Sequence, residues 1–423
     1  MKTAENYGSA SATKRCAAPH LTKPGSTMIS FDEALRILEA RVTPVGRENL
    51  PLRAVDGRVL AEDLTAGMDF PRSDVSAMDG YAVCRNDMLE PGERFKVVGE
   101  AYPGTPFAET VGPGQAVRIF TGAAMPPGAE RVVVQEDVAR TGAWILLERK
   151  PGAASHVRCH GSDFKEGSIL LAAGQFLGPR DMIAAAAAET ATVTVAQLPR
   201  VVIISTGDEL VEPGTTHHRP GTIPDTVSFG IAACVRQWGG RVMRTVRVVD
   251  RLEKLQAAAG EAFADGDLIV VTGGASVGER DFGKPMFAPH GLQLLFANVA
   301  IKPGKPVWLG HAADSHILGL PGNPVSAMVV ARLFLRPLLA LMLGQRRPAA
   351  LEWRRLPLAV RLNQAGDREA FVRAAWREDG LYPLENQDTG AQSALADAGW
   401  LIRCSPRQRE LAKGEIVSAL AFE

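Results

Sequence analysis

Net charge is missing from this sequence: Lys plus Arg and Asp plus Glu both number 47 in 423 residues. With the two signs balanced, no long-range field draws the chain to nucleic acid or to an anionic membrane surface, and any anion binding has to be local. Cysteine is scarce and scattered, at Cys16, Cys84, Cys159, Cys234 and Cys404, with no CxxC pair. That spacing excludes an ordinary thiolate zinc site or redox dithiol and fits reduced thiols in the cytoplasm. No apolar run reaches membrane-spanning length, and the Ala184–Ala188 stretch is far too short. Lys2, Lys14 and Arg15 are not followed by the apolar segment of a secretory leader. Neither GxGxxG nor GxxxxGK[ST] occurs, which counts against dinucleotide-fold and P-loop enzymes, and no internal repeat is visible.

What is present suits a folded protein of several domains, with 46% apolar and 22% charged residues in a chain longer than one core usually organises. Residues 1–28, rich in Ser, Thr, Ala and Lys, read as a mobile tail. SFDEALRILE then predicts a helix with Ser30 as its N-cap and an apolar stripe of Ala34, Leu35, Ile37 and Leu38. Between 61 and 154, short runs such as FKVVGE, AVRIF, RVVVQED and AWILLER, separated by Pro and Gly, predict a β-rich insertion. A helix near Arg180–Thr190 and the strand-like VTV rejoin the first helix, giving a discontinuous α/β segment over 29–60 and 155–196.

From 197 to 346 apolar strands alternate with helices: VVIIS, a helix near Ser228–Trp238, RVMRTVRVV, a helix near Leu252–Phe263, and DLIVVTGG. This predicts a central α/β domain with a parallel sheet covered on both faces, and ligands outside the carboxyl ends of its strands. Residues 347–423, with PLAVRL, AFVRAAW, WLIRC and GEIVSALAF, read as a terminal β-domain, a small barrel.

Chemistry-bearing residues collect where the α/β strands end. In ISTGDEL, Ser205, Thr206 and Gly207 can cradle phosphate, and Asp208 and Glu209 can hold a divalent cation or cap a turn. VTGGASVGERDF interleaves Gly273, Gly274 and Gly278 with Thr272 and Ser276, then presents Asp281, an anion nest followed by a carboxylate. IKPGKPVWLG sets Lys302 and Lys305 about a Pro-Gly turn, and GLPGNPVSAM gives Gly322, Asn323, Pro324 and Ser326 at a helix start. In the β-rich insertion, PRSDVSAMDGYAV carries Asp74 and Asp79, which read first as turn caps, and RIFTGAAMPPGAERVVVQED supplies Thr121, Glu136 and Asp137.

Taken in order, SAMDGYAV, FTGAAMPPGAERVVVQED, STGDEL, TGGASVGERDF, IKPGKP and GLPGNPVSA resemble the molybdopterin molybdenumtransferase family, MoeA, which includes the gephyrin E-domain. The resemblance runs from about Ser30 to the C-terminus. It implies an elongated homodimer with an adenylyltransferase-like α/β domain whose cleft is completed by the β-rich domain of the partner subunit. It also implies insertion of molybdate into adenylylated molybdopterin with release of AMP, supported by Mg²⁺ or a similar cation. By motif, Asp74, Thr121, Glu209 and Asp281 become catalytic candidates, Glu209, Asp250 and Asp281 metal ligands, and Asp225, Lys302, Ser326 and Arg373 substrate-binding residues. A molybdopterin adenylyltransferase and the machinery that matures molybdoenzymes are the implied partners. The two other readings are a non-catalytic carrier or scaffold, or a weakly active paralogue of the same kind, and the adenylylation reaction itself.

Two positions depart from the family pattern: Val227 stands where an Asn completes an Asp-Ser/Thr-Asn triplet, and Asn298 where a Lys precedes KPGKP. The first loses a side-chain amide and the second a cation. On the sequence alone, Asn298→Lys is expected to tighten apparent molybdate binding; an unchanged affinity in a titration would remove Asn298 from the account.

Overall fold

The computed structural model describes residues 28–84, 89–273, 282–345 and 350–422. The tail read over 1–28 therefore lies outside the described residues except for Met28. The first helix, Phe31–Arg41, forms for the reasons legible in its sequence. Ser30 Oγ accepts the Glu33 N–H at 3.2 Å, Asp32 and Glu33 sit in the first turn, and Phe31, Ala34, Leu35 and Leu38 form one buried stripe. It ends where Val42 turns extended.

The strand Arg47–Pro51 pairs antiparallel with Thr192–Ala196, so the chain leaves and re-enters this layer at adjacent strands. Between them lies a six-stranded sheet in the order Arg131–Val134, Gly80–Val83, Gln115–Ile119, Arg94–Ala101, Trp144–Leu147, Val138–Thr141. Its alternating side chains feed two small cores, one around Tyr81, Phe95 and Ile145, the other around Ala82, Val117 and Ile119. The run RVVVQED is a strand only through Val134, because Gln135–Asp137 tighten into a 3₁₀ turn.

The α/β layer is a six-stranded sheet in the order Arg241–Val248, Arg200–Thr206, Leu268–Thr272, Ser315–Leu320, Trp308–Ala312, Gln293–Ala297. The parallel sheet read from the sequence needs one correction: Trp308–Ala312 runs against its neighbours on both sides. The cause is local, since only Ala313 and Asp314 separate it from Ser315–Leu320, and a connection that short can form only a hairpin. Both faces are covered. Val201 and Ile203 point into one core with the first helix and Val227–Gln237, while Val202 and Ile204 point into another with Leu252–Asp265.

Pro324–Met342 is one continuous helix of 19 residues, apolar enough by length and composition to cross a membrane. This corrects the sequence reading that no apolar run is so long. The helix is mostly buried inside the protein, where apolar character all round is what a core helix requires. The C-terminal sheet has the order Ile301–Lys302, Glu369–Arg377, Trp400–Cys404, Ile416–Ala421, Trp353–Pro357, with Gly380–Pro383 also pairing Glu369–Arg377. It curls until Leu358, just past one edge strand, bridges Leu381 near the other.

Phe31 ties these parts together: fully buried, it meets Phe334 of the core helix at 5.5 Å and Phe371 of the C-terminal sheet at 5.1 Å, both edge-on. Phe31→Ala is expected to destabilise the protein by about 3–5 kcal/mol, measured by urea unfolding. A loss under ~1 kcal/mol would show that the three parts are held together elsewhere.

Candidate functional site

The carboxyl ends of the parallel strands open onto a cleft of about 580 Å³. Thr206, Gly207 and Glu209 reach it from the end of Arg200–Thr206, Asp250 from beyond Val248, Thr272 and Gly273 from the end of Leu268–Thr272, and Gly322, Asn323 and Pro324 from beyond Ser315–Leu320. Successive βα connections thus converge on one concavity, as open α/β sheets dictate. The two glycine loops touch: a Cβ added to Gly322 would lie 3.4 Å from Gly273 Cα. Gly273 itself has φ +89°, and a Cβ there would sit 2.5 Å from the Thr206 carbonyl oxygen. Only glycine allows that approach. Leu210, Ile223, Pro224, Val227, Pro306 and Pro321 give the cleft an apolar wall.

Not every residue singled out in the sequence faces this space. Ser205 is fully buried and accepts a hydrogen bond from Thr272 Oγ1 at 3.2 Å, so its hydroxyl is spent within the sheet. Asp225 lines the cleft but is committed: it accepts from Ser228 Oγ at 2.7 Å and Ser228 N–H at 3.2 Å, and Arg247 Nε lies 3.7 Å away. Asp208 accepts the Asp250 N–H at 3.0 Å and acts as a loop cap. Ser326 is buried in the first turn of its helix. Lys302 and Lys305 are both exposed but do not line the cleft, although the adjacent Pro306 does, and Lys302 pairs with the C-terminal sheet opposite Ala370. Gly274, Ser276, Gly278 and Asp281 lie outside the described residues.

Arg373 does not line the cleft: it is 1% exposed and donates from Nη2 to the carbonyls of Asn386 and Asp388. Gln392, which sequence reasoning missed, lines the cleft from the C-terminal part of the chain; no local motif marks it. Asn298 adopts φ +60°, and its carbonyl accepts the Ile29 N–H at 3.2 Å. Asn tolerates this left-handed backbone better than Lys does, which gives the departure from the family pattern a conformational reason.

Asp74 and Thr121 come together on the inserted sheet, and neither lines the cleft. Gly122 N–H donates to the Ser76 carbonyl and Met125 N–H to the Asp74 carbonyl, holding the two loops side by side. The Asp74 carboxylate accepts the His160 N–H at 2.7 Å. Thr121 donates both its N–H and its hydroxyl to Asp79 Oδ1, each at 2.8 Å. Arg118 lies between the rings of Tyr81 and Phe120, 5.0 and 4.7 Å from their centroids.

The Thr121 N–H, then its hydroxyl, hold the Asp79 carboxyl below the usual carboxylate range. Because the folded value is depressed, the contribution of this anchor is complete above the unfolded value and disappears as pH falls through the folded one. The Thr121 amide resonance should therefore titrate with a midpoint below that of an ordinary aspartate. A midpoint at the ordinary value would show that Asp79 does not anchor Thr121.

Among the described residues, no group of three or more His, Cys, Asp or Glu side chains is arranged to hold a metal ion. Glu209 and Asp250 share the cleft, and oxygen-only donors of this kind suit a hard divalent cation.

Three family patterns match the chain in order: "MoeA N-terminal region (domain I and II)" over residues 29–188, "Probable molybdopterin binding domain" over 202–341, and "MoeA C-terminal region (domain IV)" over 355–422. The molybdopterin molybdenumtransferase of Haemophilus influenzae is 32% identical over 407 residues, covering 93% of this chain and 99% of that protein. The one from a Nostoc species is 34% identical over 347 residues, 79% of this chain and 78% of that protein. Among solved structures, the molybdopterin biosynthesis MoeA protein of Pyrococcus horikoshii superposes with a TM-score of 0.82 at 26% identity, covering 93% of this chain and all of that one. With the motifs in order and the likeness spanning nearly the whole length of both proteins, the chain belongs to the molybdopterin molybdenumtransferase (MoeA) family.

Proposed function

We propose that the cleft at the carboxyl ends of the α/β strands binds adenylylated molybdopterin, and that the protein inserts molybdate into its dithiolene with release of AMP. The observation that carries this is the convergence of the Thr206, Gly273 and Asn323 loops, backbone-rich and small, on one concavity in a chain of this family. Such loops present N–H groups to phosphate oxygens without bulky side chains in the way. The apolar wall from Leu210 to Pro321 suits the flat faces of a pterin or an adenine.

In this reading Glu209 and Asp250, joined by Asp281, hold Mg²⁺, which would offset the charge on phosphate oxygens. Thr206, Gly207, Gly273 and Asn323 bind and orient the ligand, with Gly274 and Ser276 completing the nest. Lys302, at the end of the strand Ile301–Lys302, and Lys305, beside Pro306, are both exposed and supply positive charge near the rim. Asp74 and Thr121 act from the β-rich domain of a second copy in a homodimer, since within one chain they lie outside the cleft. The matching division of the chain is a tail over 1–28, a linker domain over 29–60 and 155–196, an inserted β-rich domain over 61–154, the pterin-binding domain over 197–346 and a C-terminal barrel over 347–423. A molybdopterin adenylyltransferase supplies the substrate, molybdoenzyme maturation consumes the product, and the reaction is cytoplasmic.

The test is turnover of adenylylated molybdopterin with molybdate, followed by AMP release. Molybdate-dependent AMP release is expected, and Glu209→Gln should lower kcat/KM at least about tenfold, ~1.4 kcal/mol of transition-state stabilisation. Tight pterin binding without AMP release would turn the reading to a carrier, the outcome that Val227 and Asn298 favour.

A further inference from the structure

The cleft is finished by a segment that follows from a different sheet. Just before Gln392 on its wall, Thr389 takes hold of the Asn323 loop: its Oγ1 accepts from Asn323 Nδ2 at 3.1 Å, and its carbonyl accepts the Val325 N–H at 3.3 Å. The same segment is tied back to the strand Glu369–Arg377. Arg373 Nη2 donates to the carbonyls of Asn386 at 2.9 Å and Asp388 at 3.0 Å. Gln387 completes the tie, its Oε1 accepting the Arg373 N–H at 3.1 Å and its Nε2 donating to the Arg373 carbonyl at 2.9 Å. Arg373 is buried, donates to main-chain carbonyls with only a through-space attraction from Asp388, and among the described residues finds no partner for Nη1. A buried charge in that condition adds little to stability, so the tie it makes to the segment 386–388 is the consequence that matters.

We infer that Arg373 is a positioning residue for the proposed transfer: through Asn386, Asp388 and Thr389 it clamps the Asn323 loop over the carboxyl ends of the strands. The C-terminal sheet then shapes the cleft while its arginine never touches the ligand. This rests on the reading of the cleft as the pterin site.

Two variants of the full-length chain test it. Arg373→Met keeps the volume and removes the guanidinium, and Thr389→Val keeps the shape and removes the acceptor for Asn323. In the ligand-free protein, amide hydrogen exchange over residues 321–328 should quicken in Arg373→Met by about tenfold, the scale of one lost charge-assisted hydrogen bond. With adenylylated molybdopterin varied in the AMP-release assay, KM should rise about three- to tenfold in each variant, with kcat within about twofold. Should Arg373→Met fail to fold, the KM of Thr389→Val decides the matter. Unchanged exchange and KM in both variants overturn the clamp, and so does a fall in kcat at constant KM. Faster exchange in Arg373→Met alongside an unsubstituted protein that releases no AMP upholds the clamp and sinks the transferase reading instead.

Discussion

Three parts of this fold lean on one shared apolar core. Phe31 from the first helix, Phe334 from the long helix and Phe371 from the C-terminal sheet meet there, and Leu401 and Leu420 join from the last two strands. Burial of this kind is non-directional, yet the close packing of large rings allows few arrangements, so the orientation of three parts of the chain is settled at once. The cleft depends on that settlement. Its Asn323 loop begins the long helix, and its Gln392 wall comes from the segment between two C-terminal strands.

Within the cleft the side chains divide by what they are already bound to. Asp225, on the lining, is held by Ser228, while behind the lining Ser205 accepts from Thr272 and Asp208 from the Asp250 N–H. They hold the walls. Gly273 and Gly322 contribute by what they lack, letting two loops approach until they touch. What remains for a ligand is backbone N–H, the Glu209 carboxylate and an apolar wall, a set matched to a molecule that is both anionic and flat.

Much of this was legible in the sequence, for identifiable reasons. The first helix announces its cap at Ser30 and its period at Phe31, Leu35 and Leu38, and the apolar run Val201–Ile204, short and β-branched throughout, reads as a strand buried on both faces. The direction of Trp308–Ala312 was not legible, because alternation reports which face is buried and says nothing about which neighbour pairs. Its two-residue link to Ser315 held the clue. Arg373 carried a signal in its parity: it shares a strand face with the buried Phe371, two residues away. Gln392 carried none, since its place in the cleft follows from how two distant segments pack.

The long helix Pro324–Met342 has a consequence for how the protein is made. It packs between the first helix and the last strands, and Arg332 within it donates to the carbonyls of Ala350 and Ala421. A chain leaving the ribosome therefore exposes an apolar 19-residue segment before all its partners exist, and they are complete only when residue 421 has emerged. Final closure of the core has to wait until the strand Ile416–Ala421 has been made.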